Sequence, residues 1–100
     1  MLSEPSIQKG NKVRQIAAIM FTDIVGYTAL MQGDEDVAMK VRTRHRQVFE
    51  EEHHSHGGEI IQYYGDGTLS VFKSALSAAK CAIKIQTLLN TGFPVPLRIG

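Results

Sequence analysis

Apolar positions along this chain change their spacing at glycines, and each change marks a new element. Gln15 to Thr22 (QIAAIMFT) is a short, nearly continuous apolar run, the pattern of a strand buried on both faces. The chain then turns over Thr22 to Thr28, and Tyr27 to Met31 can form a short helix ahead of Gln32-Gly33. Asp34 is placed to cap a long helix running to about His54. Glu35 and Asp36 suit its first turn, and Val37, Val41, Val48 and Phe49 recur on one side of it. After Gly57-Gly58, Glu59 to Tyr63 and Thr68 to Phe72 read as two strands of a hairpin, joined through Tyr64-Gly65-Asp66-Gly67 with Asp-Gly as the turn signal. Ser74 can cap a helix from Ala75 to about Leu89, whose Ala75, Ala78, Ala79 and Ala82 allow close approach to a sheet. Gly92 to Pro96 stop that helix, and Val95 to Ile99 begin a last strand.

The resulting order, β-α-α-β-β-α-β, predicts an α+β fold of the ferredoxin-like split β-α-β type. Its sheet is antiparallel, with the helices packed on one face. RNA-binding domains, acylphosphatase-like enzymes, polymerase palms and nucleotide cyclases all share this topology, so a site has to decide between them.

Composition narrows the field. Of 100 residues, 43% are hydrophobic and 21% charged, which is ordinary for a globular chain and too apolar for disorder. The net charge of +1 supplies no general attraction to nucleic acid or anionic membrane. No paired aromatic platform for stacking bases is visible on the expected strands, which further disfavours RNA. One cysteine, Cys81, cannot form an internal disulfide, and no apolar run approaches a membrane span. A soluble, cytoplasmic setting is expected. The first residues, 1–13, read as a flexible leader without a secretory signal.

Asp23 is expected just after the first strand, and Asp66 in the hairpin turn. In this topology the first strand and the second hairpin strand are central neighbours, so the two carboxylates can converge. Two hard oxygen donors suit Mg²⁺ or Mn²⁺, and paired ions serve phosphoryl-transfer chemistry. The segment Ile24-Val25-Gly26-Tyr27-Thr28 leads from Asp23 into a helix N-terminus, which favours an anionic triphosphate. Taken singly, Asp23 is more simply a helix cap and Asp66 a turn residue; their joint placement carries the argument.

The segment IMFTDIVGYTALM resembles the first metal motif of class III adenylate and guanylate cyclases, and GGEIIQYYGDGTLSVF resembles the second, at matching spacing. The likeness runs from about Arg14 to Gly100 and includes the terminal PLRIG. It implies that residues 14–100 are the N-terminal part of a nucleotidyl cyclase catalytic domain, truncated before its C-terminal half. By this resemblance Asp23 and Asp66 hold two Mg²⁺ or Mn²⁺ ions with help from the Ile24 carbonyl, Val25 and Gly26 to Thr28 form the phosphate loop, and Arg98 reaches the terminal phosphates. The implied reaction is attack of a ribose 3′-oxygen on the α-phosphate of ATP or GTP, giving the cyclic monophosphate and pyrophosphate, with ATP to cyclic AMP favoured. The implied assembly is a head-to-tail homodimer.

Two departures qualify the likeness. Where family adenylate cyclases carry a base-reading lysine and guanylate cyclases a glutamate, this chain has Gln62, whose amide can donate and accept but carries no charge. The family's transition-state asparagine and arginine, and its second base-reading residue, fall beyond Gly100, so the chain by itself is expected to be weak or inactive. A noncatalytic nucleotide-binding or dimerisation module of the same fold is the alternative reading.

The remaining candidates read as structural. His53, His54 and His56 are expected to be exposed at a helix end, and Arg42, Arg44 and Arg46 to form a solvated or partner-facing surface. Cys81 reads as a small core residue, and Met20, Met31 and Met39 as packing residues.

Overall fold

Asp34 Oδ1 accepts a hydrogen bond from Val37 N and Ser74 Oγ one from Ser77 N, both at 3.2 Å, so the two long helices start at the expected caps. The computed structural model describes residues 15–92 and 94–100. The leader expected over 1–13, and Arg14 at the domain boundary, lie outside the described residues. The elements are β1 (Ala18–Ile24), α1 (Tyr27–Gly33), α2 (Glu35–Ser55), β2 (Glu59–Tyr64), β3 (Gly67–Phe72), α3 (Ala75–Leu89) and β4 (Leu97–Ile99). The order is the one expected. All neighbouring strands are antiparallel in the spatial order β2-β3-β1-β4, which is the split β-α-β arrangement with β1 and β3 in the centre.

One face of the sheet is covered. Met20 and Ile24 of β1 and Phe72 of β3 pack with Ala38, Val41, Val48 and Phe49 of α2 and with Ala78, Cys81, Ile85 and Leu89 of α3. The α3 face therefore differs from the alanine stripe expected: Ala78 is buried, Ala82 half-buried, and Ala75 and Ala79 are exposed. Arg44 Nη2 ties the two helices together by donating to the carbonyls of Leu88, at 2.7 Å, and Thr91, at 3.2 Å. These carbonyls close the C-terminal end of α3, where orphan acceptors need partners.

Strand β1 corrects the sequence reading in position and in burial. It runs three residues later than Gln15, and its side chains alternate, with Met20, Thr22 and Ile24 buried and Ile19 and Phe21 exposed. The apolar run looked suited to burial on two faces, yet among the described residues helices cover only one. Met31 and Met39 are also exposed, so of these three only Met20 acts as a packing residue.

His53 is a further correction, because it is buried while His54 is exposed and His56 is half-buried. Its Nδ1 lies 2.8 Å from the Phe49 carbonyl and its Nε2 2.7 Å from Ser70 Oγ. A carbonyl can only accept, so Nδ1 carries the proton and the Ser70 hydroxyl donates to Nε2. Burial and the neighbouring His56 push the His53 pKa down against the raising effect of the Phe49 carbonyl. Gly58 makes this packing possible, since a Cβ there would lie 2.5 Å from Phe72 Cε2 and 2.8 Å from His53 Cδ2.

Candidate metal and nucleotide site

Antiparallel pairing of the two central strands brings the motif residues to one end of the sheet. Asp23 sits inside β1, directly opposite Gly67, and not beyond the strand end as the sequence suggested. One residue further, Ile24 N donates to the carbonyl of Asp66 at 3.0 Å, which extends the β1–β3 pairing into the hairpin turn. The turn itself is Gly65-Asp66, with Gly65 at φ 57°, and Tyr64 opposes Gly67. The two central turn positions are thus one residue earlier than the Asp-Gly signal implied. Glycine at the first of them meets the left-handed backbone requirement of a tight hairpin. Asp66 consequently directly precedes Gly67, the residue that pairs with Asp23.

The open face of the sheet carries the other candidates. Arg98 on β4 is the register partner of Asp23, and its Nη2 donates to Asp23 Oδ2 at 2.9 Å. Gln62 is exposed and pairs with Leu69, which in turn opposes Phe21. It reaches this face through an irregularity between Ile60 and Gln62: Ile60 opposes the buried Ser70, while two residues later Gln62 opposes Leu69. A bulge of this kind inverts the strict alternation of a strand. Asp23, Arg98 and Gln62 therefore share a face with exposed Ile19, Phe21 and Tyr64, the last two rings 6.1 Å apart.

Beyond β1 the chain runs through the expected phosphate loop. Val25 N donates to the Pro96 carbonyl at 2.9 Å, anchoring the loop to the segment before β4. Gly26 takes φ 74° and precedes α1 with no side-chain cap. Val25, Gly26 and Thr28 are exposed, whereas the Tyr27 and Ile24 side chains turn into the core. Any role for Ile24 and Tyr27 at a ligand thus falls to their backbone groups.

Among the described residues no group of three or more His, Cys, Asp or Glu side chains gathers in a metal-binding cluster. Two carboxylates and a carbonyl nonetheless fit Mg²⁺ or Mn²⁺ as these ions are held beside nucleotides, where one or two carboxylates suffice and phosphates and water complete the shell.

Behind the turn lie residues that the sequence reading did not connect with the site. His45 is 3% exposed and stacks on Phe49 with ring centroids 4.9 Å apart. Burial, then Arg46, then His53 lower its pKa to about 4, so its ring is neutral at pH 7. Arg46 lies 4.0 Å over the Tyr63 ring, and the Tyr63 hydroxyl donates to Glu50 Oε2 at 3.2 Å. Burial and the Glu50 carboxylate push that hydroxyl up to about 12. The helical spacing of Ala38, Val41, His45, Val48, Phe49 and His53 was the signal that could have placed both histidines inside. Cys81 is fully buried, and burial pushes its thiol up to about 12, which agrees with a packing role.

No protein-family model matches the chain. A Rhizobium meliloti (strain 1021) protein described as "Putative adenylate cyclase 3" is 35% identical over a 95-residue alignment that covers 87% of this chain and 16% of that protein. The chain thus spans about one sixth of that relative's length. Among solved structures, the adenylate/guanylate cyclase/hydrolase from Silicibacter pomeroyi is 31% identical with a TM-score of 0.69, covering 82% of this chain and 52% of that one. A bacterial light-regulated adenylyl cyclase shares the fold at a TM-score of 0.72 and 18% identity, over 82% of this chain and 50% of that one.

Proposed function

We propose that this chain, which has the sequence and fold of a class III nucleotidyl cyclase catalytic domain, is the first half of such a domain and supplies the metal and triphosphate side of its site. The observation that carries the reading is the β1–β3 pairing, with Asp23 opposite Gly67 and Ile24 N bonded to the Asp66 carbonyl. It supports two carboxylates working at one point. Asp23, Asp66 and the Ile24 carbonyl would hold two Mg²⁺ or Mn²⁺ ions. Bound there, the ions would supply activation of a ribose hydroxyl and neutralisation of phosphate charge.

The chain's own groups do the rest. The loop from Gly26 to Thr28, with Gly26 and Thr28 exposed, receives the triphosphate beside Val25, and Arg98, already on the Asp23 side of the sheet, pairs with its anionic end. The Gln62 amide, exposed on the same face, donates to and accepts from a purine edge. The reaction is ATP to cyclic AMP plus pyrophosphate, with ATP favoured because the similar Rhizobium meliloti protein is described as an adenylate cyclase. Exposed Ile19, Phe21 and Tyr64 beside these polar groups support pairing of two copies, head to tail, through the open sheet face. Among the described residues no helix is long and apolar enough to cross a membrane. A cytoplasmic setting is proposed from the nucleoside triphosphate substrate.

Gln62 favours a second reading. An uncharged base-reading position suits a nucleotide-binding or dimerisation module with little or no turnover. Titration with ATP and with GTP in the presence of Mn²⁺, followed by assay for cyclic nucleotide, tests both. Metal-dependent nucleotide binding that requires both aspartates supports the cyclase site, and product formation excludes the silent module. Nucleotide binding indifferent to metal and to both aspartates would contradict the cyclase reading.

A further inference from the structure

The Gly65-Asp66 turn does not rest on solvent alone. On its α2 side a cavity of about 10 Å³ is lined by Asp66, Thr68, His45, Arg42 and Arg46, among others. That volume is about one water sphere and is too small for phosphate or sulfate. Two polar atoms of this lining, His45 Nε2 and Thr68 Oγ1, are buried and have no hydrogen-bond partner among the described residues. His45 is 3% exposed and Thr68 0%, so bulk solvent does not satisfy them. Orphaned polar atoms beside a polar, water-sized cavity are the conditions under which proteins retain a structural water.

We propose that this cavity is a one-water site, in which a water held by His45 Nε2 and Thr68 Oγ1 bonds the Gly65-Asp66 turn and makes His45 a positioning residue for Asp66. The ring is well suited to the task. It is clamped face to face on Phe49 and carried by the 21-residue helix α2, so the water would link a hairpin turn to a rigid element. Such outer partners fix the orientation of the groups that contact a metal or substrate. The consequence for metal binding rests on the reading of Asp66 as a metal ligand; the water site itself does not.

The test uses three variants. His45→Phe keeps the ring stacked on Phe49 and removes both nitrogens, Thr68→Val keeps the shape and removes the hydroxyl, and His45→Gln restores a polar end near the Nε2 position. Amide exchange by NMR is read at Ile24, whose N–H bonds the Asp66 carbonyl, with the α3 amides as the measure of global stability. Exchange at Ile24 should quicken about tenfold in His45→Phe and Thr68→Val relative to α3, and His45→Gln should reverse most of it. Mn²⁺ affinity, by electron paramagnetic resonance, should fall about tenfold in His45→Phe. Unchanged Ile24 exchange in both variants, or a change shared equally by α3, overturns the proposal. If the wild-type chain holds no Mn²⁺ while Ile24 exchange responds as expected, the water site stands and the metal role of Asp66 fails.

Discussion

Arg98 holds Asp23 from the position directly opposite it in the β1–β4 pair, with Nη2 to Oδ2 at 2.9 Å. Both side chains are solvated, at 72% and 42% exposure, so the pair contributes only about 0 to 1 kcal/mol to folding. Its larger effect is on the carboxylate, because a cation approaching Asp23 meets a guanidinium already there. Arg98→Ala should leave the unfolding free energy within about 1 kcal/mol by urea denaturation. It should tighten binding of Mn²⁺ alone severalfold and weaken binding of the triphosphate. Weaker Mn²⁺ binding in the variant would show that Arg98 does not compete at Asp23.

Gly58→Ala should destabilise the fold by about 1 to 3 kcal/mol, since the added methyl overlaps two rings that are packed in the core. Gly33→Ala, where a Cβ meets nothing within 4 Å, serves as the comparison and should be near neutral. Denaturant midpoints of the two variants decide it, and equal losses would contradict the packing role of Gly58.

Stability should fall as pH drops below neutrality. His45 titrates near 6.5 when unfolded and at about 4 when folded. Above 6.5 it is neutral in both states and its contribution is complete. Between 6.5 and about 4 the unfolded chain takes up the proton first, which removes on the order of 3 kcal/mol across the window. His53, whose pKa is also lowered, acts in the same direction. Melting temperatures measured from pH 7 to 4.5 should decline, and His45→Gln should flatten the decline. A flat wild-type profile would contradict the burial of a neutral His45.

These tests also mark where the sequence was legible. The caps at Asp34 and Ser74 were readable because capping is local, and the sheet order followed from element order and the split β-α-β rule. The end of β1 was not, because an apolar run does not reveal that only one sheet face is covered. His45 and His53 hid behind their polarity although their helical spacing placed them in the core. Gly58 read as punctuation when its reason is the closeness of Phe72 and His53. Of the candidate site, the placement of Asp23 and Asp66 at one end of the two central strands could be read from the chain, but not the bond from Arg98 to Asp23. The face on which Gln62 lies depends on the irregularity after Ile60, which no periodicity announces.

Gln62 supplies a specificity test. If its amide reads the purine, Gln62→Lys should shift nucleotide preference toward ATP and Gln62→Glu toward GTP, each by about tenfold, the worth of one good hydrogen bond. Competitive titration of ATP against GTP measures the shift. Identical preferences in all three proteins would place the base elsewhere.

In the proposed site Asp23 and Asp66 act together on metal-bound nucleotide. The most direct measurement is Mn²⁺ binding in the presence of ATP, by electron paramagnetic resonance, for the wild-type chain, Asp23→Ala and Asp66→Ala, each checked for folding. Mn²⁺–ATP should bind the wild type, and either substitution alone should weaken binding by about a hundredfold, since each removes a charged donor from the same ions. Equal binding in all three folded proteins would contradict the two-aspartate site.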